Sequence, residues 1–139
     1  MILTKTTEYA VRILTLMASR KGEKDSFSAT YLHEQLNIPY KYLTRLMTDL
    51  SKQGFLLSIR GRGGGFKIIK ALDEITLADI VEAVEGMAGF NACILGFEEC
   101  SSENPCALHF VWEKNKENFI KMLEETTLED IRREKIRRF

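Results

Sequence analysis

The chain has 139 residues, is 45% hydrophobic and 29% charged, and carries no formal net charge. Those figures suit one or two small soluble globular units whose core needs no disulfide. They exclude a membrane-spanning helix, which takes about 20 apolar residues in a row, and Met1 to Lys5 lacks the apolar stretch of a signal peptide, so the expected location is the cytoplasm.

The zero charge hides an asymmetry. Residues 1–72 hold 12 Lys/Arg against 5 Asp/Glu, and residues 73–139 hold 8 against 15. A basic front half beside an acidic remainder suits a domain that meets a polyanion and a second part that does not. Within the second part, 131–139 is basic again.

In chain order, Ala10, Ile13, Leu14 and Met17 recur at helical spacing and predict a first amphipathic helix, ended by Gly22 and the polar run to Ser26. Ser28 can cap a short second helix carrying Leu32 and Leu36, closed by Asn37. Pro39 suits the first turn of a third helix with Leu43, Leu46, Met47 and Leu50 as its apolar stripe and Gly54 at its end. The period then changes. Phe55, Leu57 and Ile59 alternate, Arg60 to Gly65 make a glycine-rich turn, and Phe66 to Lys70 read as a returning strand. Thr76 and Asp79 form a capping-box pair, and Ile75 can staple against Ile80. Leu77, Ile80, Val81 and Val84 line this fourth helix, which Gly86 stops. Residues 86–105 have no period. Asn104-Pro105 reads as N-cap and first turn of a long helix bearing Leu108, Val111, Trp112, Phe119, Met122 and Leu123. Thr127 and Asp130 cap one last short helix. The fold class is mainly α with a small β-hairpin wing: a winged helix-turn-helix over 1–72, then a sensor and dimerisation region over 73–139.

Away from its Leu/Met stripe, the third helix offers Lys41, Tyr42, Thr44, Arg45 and Thr48 to base edges and phosphates. Any surface helix has such a polar face. Arg60 and Arg62 add to the reading because they sit on a turn where Gly63 and Gly64 let backbone approach a phosphate or a narrow minor groove. A basic hairpin after a helix-turn-helix predicts double-stranded DNA as the partner.

All three cysteines fall in one window, Cys93, Cys100 and Cys106, followed by His109. In a reducing compartment a clustered odd set points to metal or redox chemistry over disulfides. With Pro105 in the first helical turn, Cys106 would meet free backbone N–H groups that favour a thiolate, and His109 would project from the same face. Iron–sulfur ligation, a Cys3His zinc site, an unmetallated thiol pair and plain burial all remain open on spacing alone. No nucleophile–base pairing, nucleotide-binding glycine motif or catalytic carboxylate pair is present, so an enzyme is not expected.

Leu57-Ser58-Ile59-Arg60-Gly61-Arg62-Gly63-Gly64-Gly65-Phe66, with Tyr42-Leu43 and Gly54 before it, resembles the wing signature of the Rrf-two family of bacterial transcription regulators. The resemblance extends to Thr6-x-Glu8-Tyr9-Ala10, Leu77-x-Asp79-Ile80, the three cysteines, Cys106-x2-His109-x2-Trp112 and Thr127-Leu128-x-Asp130. It implies a homodimer joined through the long helix, an operator read by helix and wing, and a regulator, expected to be a repressor, controlled by an iron–sulfur cluster (2Fe-2S or 4Fe-4S) on Cys93, Cys100 and Cys106. It offers three fourth ligands: His109 as in IscR-like members, Glu8 from the other subunit, or, less favoured, His33. The physiological signal it implies is redox state, nitric oxide or iron–sulfur status. Six residues separate Cys93 from Cys100, one more than in IscR-like loops.

Overall fold

A computed structural model describes residues 3–134. Residues 135–139 of the basic C-terminal run lie outside them. Six α-helices and one hairpin follow in order: α1 (Lys5–Ser19), α2 (Ala29–Leu36), α3 (Tyr40–Lys52), β1 (Leu56–Ile59), β2 (Gly65–Ile68), α4 (Leu77–Val84), α5 (His109–Glu125) and α6 (Leu128–Arg133). The fold is mainly helical, with a two-stranded antiparallel wing. No described helix is long and apolar enough to cross a membrane.

Helix ends follow local side-chain chemistry. The Thr4 hydroxyl accepts from the Thr7 N–H to open α1, and Ser28 does the same for α2 from Tyr31. Asn37 closes α2 in the left-handed region, at φ 53°. Pro39 stands one residue earlier than expected, at the N-cap of α3. Full capping boxes start α4 (Thr76, Asp79) and α6 (Thr127, Asp130). These two N-termini lie side by side, because the Leu77 N–H donates to the Thr126 carbonyl and the Leu128 N–H to the Ile75 carbonyl.

Helix α1 is the centre. Ala10, Ile13, Leu14, Leu16, Met17 and Ala18 are fully buried, and one core runs from Ala10 through Leu32, Leu43, Met47, Leu50 and Ile80 to Leu128. Each large side chain so buried contributes roughly 1.5–3 kcal/mol. A smaller cluster of Val81, Phe90 and Leu123, with Phe119 and Ile120 against it, joins α5 to α4.

The wing departs from the expected alternation. Phe55 and Leu56 are buried, whereas Leu57 and Ile59 are 51% and 38% exposed. The hairpin face that carries Leu56, Phe66 and Ile68 meets the core, so Leu57 and Ile59, on the opposite face, are left to solvent. The wing gains a third partner instead: Phe27 exchanges two backbone hydrogen bonds with Phe66, at 2.9 and 2.8 Å. That pairing explains Gly65, and the tight tip of the hairpin explains Gly64. A Cβ on Gly65 would stand 2.5 Å from the Phe27 carbonyl oxygen, and one on Gly64 would stand 2.2 Å from that of Ile59.

The long helix begins at His109, not at Asn104-Pro105. The His109 N–H donates to the Cys106 carbonyl at 3.1 Å, so 106–109 form a separate turn. Leu108 is the N-cap, and no side chain caps the helix. Cys106 therefore precedes the helix, and the argument from the helix N-terminus does not apply to it.

Candidate sensor loop and nucleic-acid interface

Lys41, Tyr42, Arg45 and Thr48 lie on the exposed side of α3, and Thr44 is half-buried. The Thr44 hydroxyl donates to the Lys41 carbonyl and the Thr48 hydroxyl to the Thr44 carbonyl, each at 3.0 Å. Arg60, Arg62 and Gly63 are exposed at the wing tip, and Gly64 is half-buried under it. The Ser26 hydroxyl donates to the Gly63 carbonyl and holds the tip. Among the described residues none of Lys41, Arg45, Arg60 and Arg62 has an ion pair. The two elements thus present uncompensated cations, as a phosphate backbone requires.

Tyr42 has a second attachment. Its hydroxyl shares a hydrogen bond with the Thr6 hydroxyl in α1, and its ring meets Tyr9 edge-on at 5.4 Å. The recognition helix is therefore tied to the first turn of α1. That turn is tied in its own right to the end of α4, where the Thr4 N–H donates to the Glu85 carboxylate at 3.1 Å. Sequence reasoning missed Thr6 and Glu85, since no local pattern marks a contact between distant segments.

The cysteine loop leaves α4 at Gly86, makes a 3₁₀ turn over Ala88–Asn91, and reaches Cys93. Trp112 of α5 anchors it by donating its indole N–H to the Ala92 carbonyl at 3.2 Å. The four candidate ligands form two pairs. Cys93 Sγ lies 3.7 Å from Cys106 Sγ, and Cys100 Sγ lies 3.5 Å from His109 Nδ1. His109 is buried, and its Nε2 has no hydrogen-bond partner, with Glu113 Oε2 at 3.6 Å the nearest charge. Burial pushes the Cys93 thiol up. The backbone N–H groups of Leu95, Phe97 and Gly96 and the Cys106 thiol point at its sulfur and on balance hold it below the ordinary value. The tight turn that aims them is closed by the Gly96 N–H on the Cys93 carbonyl, with Gly96 at φ +83°, and sequence reasoning did not pick it out.

Glu8 pairs with Lys5 at 3.3 Å and lines a groove of about 650 Å³ with Glu85, Gly86, Gly89 and Phe90. His33 is engaged locally: Nδ1 lies 2.6 Å from the Ile38 carbonyl and the ring meets Tyr40 edge-on. The donor set suits an iron–sulfur cluster: three thiols, one of them within N–H donors, and an imidazole with an orphaned nitrogen. The 3.7 Å sulfur separation also equals roughly the edge of a tetrahedron of thiolates at about 2.3 Å from one metal. Among the described residues no three such side chains converge on one point, so the two pairs would have to close on each other to hold a cluster.

A winged helix-turn-helix head, a basic tip and a thiol-bearing loop between α4 and α5 define a DNA-binding transcriptional regulator. The Rrf2 family model, described as an iron-dependent transcriptional regulator, matches residues 3–134, and the chain belongs to that family. It is 31% identical over 132 residues to the transcriptional regulator NsrR of Oceanobacillus iheyensis, covering 94% of this chain and 89% of that one. Among solved structures, CymR, the global cysteine regulator of B. subtilis, is similar at 26% identity and a TM-score of 0.78, over 94% of this chain and 95% of the other. IscR of T. potens is similar at 25% identity and a TM-score of 0.71, over 93% and 84%. These relatives are regulators, not enzymes.

Proposed function

We propose that the protein is a cytoplasmic, homodimeric repressor whose operator binding is controlled by an iron–sulfur cluster. Residues 1–72 form the DNA-reading head, and 73–139 form the sensor and dimerisation region. Lys41, Tyr42, Thr44, Arg45 and Thr48 read the major groove, and Arg60, Arg62, Gly63 and Gly64 enter the minor groove. Cys93, Cys100 and Cys106 hold the cluster, with His109 of the same chain or Glu8 of the other as fourth ligand. The observation that carries this is the gathering of three thiols of one loop and the buried imidazole that opens α5, paired at 3.7 and 3.5 Å. Similarity to NsrR and IscR supports it.

When bound, a cluster supplies redox chemistry and reactivity toward nitric oxide. The protein's part is to give the loop two arrangements of different stability. Glu85, just before the loop, holds Thr4, and Thr6 holds Tyr42 of the recognition helix. A rearranged loop thus has a contiguous packed route to α3. Phe110 and Val111 of α5 are 65% and 66% exposed, an apolar stripe that suits a second copy of the helix.

The test is anaerobic reconstitution followed by a visible spectrum and counts of iron and sulfide. A coloured protein with stoichiometric iron and sulfide, whose DNA affinity changes when the cluster is removed, is the expected result. A colourless protein without bound iron refutes the cluster. A second reading, a regulator of the same fold using its thiols directly, is favoured by the approach of Cys93 to Cys106.

A further inference from the structure

Cys93 and Cys106 are both free, with their sulfurs 3.7 Å apart. A disulfide has an S–S bond of about 2.05 Å, so closure asks for movement of roughly 1.7 Å, within reach of two side-chain rotations and a small loop shift. The third thiol is differently placed: Cys100 faces the His109 ring. Access differs too. Cys106 is half-buried and lines an open cleft of about 420 Å³ with Phe97, Glu99, Ser101 and Pro105, whereas Cys93 is 7% exposed.

We propose that Cys93 and Cys106 are a redox pair of the cluster-free protein: hydroperoxide entering the cleft oxidises Cys106, and Cys93 resolves it to a disulfide. This deepens the second reading, direct use of the thiols, by naming the pair, the oxidant and the order of steps, and it does not depend on the cluster. In the first step the Cys106 sulfur attacks the peroxide O–O bond. That bond breaks, the departing oxygen takes the thiol proton and leaves as water, and Cys106 becomes a sulfenic acid. In the second step the Cys93 sulfur attacks the Cys106 sulfur. The S–O bond breaks, and the oxygen leaves as a second water with the Cys93 proton. Two thiols lose two electrons, and hydrogen peroxide gains them. The bond ties the start of the loop to the turn before α5 and takes two thiolates out of reach of iron. A dithiol reductant reverses it by exchange. The burial of Cys93 gives it a role: shielded from the oxidant, it stays reduced until its neighbour is oxidised.

The sequence makes the pairing measurable. Cleavage after glutamate places each thiol on its own peptide: Cys93 on 86–98, Cys100 on 100–103 and Cys106 on 104–113. The full chain, stripped of metal with a chelator and kept anaerobic, is treated with one equivalent of hydrogen peroxide, alkylated, digested and weighed. The expected product is 86–98 joined to 104–113, with Cys100 alkylated and the link lost after dithiothreitol. Cys100→Ser keeps the link, and Cys106→Ser and Cys93→Ser abolish it. In Cys93→Ser the sulfenic acid of Cys106, unresolved, is trapped by dimedone. A link through Cys100, a sulfinic acid without any link, or three alkylated thiols after excess peroxide each overturns the proposal. None of these outcomes bears on whether the reduced protein takes up a cluster, and a colourless reconstitution does not bear on the pairing.

Discussion

Replacing Arg60 by Ala isolates the electrostatic work of the wing. Arg60 follows the last residue of β1, is exposed, and has no ion pair among the described residues. Its removal therefore leaves no stranded carboxylate, and the fold loses almost nothing. The proposed dimer would carry two wings, so the variant would give up two phosphate contacts. Each contact contributes about 0.9 to the slope of log K against log salt, so the slope should fall by about 1.8. Over a fourfold rise in salt, from about 50 to 200 mM, the wild type should then lose roughly twelve-fold more affinity than the variant. Fluorescence anisotropy on a labelled mixed-sequence duplex measures this without knowledge of the operator, because non-specific binding is the electrostatic component. Lys114→Ala on α5 is the control and should leave the slope unchanged. Parallel salt plots for wild type and Arg60→Ala would remove the wing from the DNA interface.

Gly65→Ala should destabilise the protein by about 2–4 kcal/mol, from strain at a positive φ plus loss of the Phe27–Phe66 pairing. Urea unfolding checks it, and a change under 1 kcal/mol would show that the wing moves freely off Phe27. Glu129 hydrogen-bonds to Arg132 and Arg133, and its carboxyl is lowered from 4.5 to about 2, chiefly by the Arg132 hydrogen bond. A depressed carboxylate stabilises the folded state fully above its unfolded value and loses that contribution as pH falls through the folded one. Melting temperature should therefore drop between pH 4.5 and 2, and Glu129→Gln should flatten that drop. An identical pH profile in the variant would mean that α6 is not held by this carboxylate. For the fourth ligand, His109→Ala and Glu8→Ala should differ: only the true ligand should shift the visible spectrum of the reconstituted protein, and no shift in either would exclude both.

Most helix boundaries were readable because capping is local chemistry. Thr76 with Asp79, Thr127 with Asp130, Ser28 and Asn37 act on N–H and carbonyl groups within four residues, so no tertiary knowledge is needed. The start of α5 was misread for the opposite reason. Asn104-Pro105 satisfies the local rule, yet the turn at Cys106 and the seating of His109 and Trp112 against the loop delay the helix to His109. The wing shows the same division. Its alternation was visible, but which residues are buried depends on which face of the hairpin packs on the core and on Phe27, a residue nearly forty positions from Phe66. For the candidate site, sequence marked the four side chains in one loop. Their pairing, Cys93 with Cys106 and Cys100 with His109, depends on how the loop folds back, which spacing does not determine.

That pairing bears on how a loop with no regular structure could control a head built on a rigid core. The core from Ala10 to Leu128 is continuous, so a small shift at one end does not deform it gradually. Control must act where the head is held by few contacts. The first turn of α1 is such a place. It carries Thr4 on the Glu85 carboxylate, Glu8 in the groove beside Gly86 and Phe90, and Thr6 on Tyr42. All three partners lie either at the root of the cysteine loop or on the recognition helix. In the proposed switch, rearrangement of the two sulfur–ligand pairs would act on Gly86, on Phe90 of the smaller cluster and on the Ala92–Trp112 anchor before it reached the main core. The cheapest response would be re-aiming of the Tyr42 side chain, since α3 itself is fixed in the core through Leu43, Met47 and Leu50. A switch of this kind would need only a few kcal/mol of difference between two loop states, the range in which a ligand's differential affinity shifts a population.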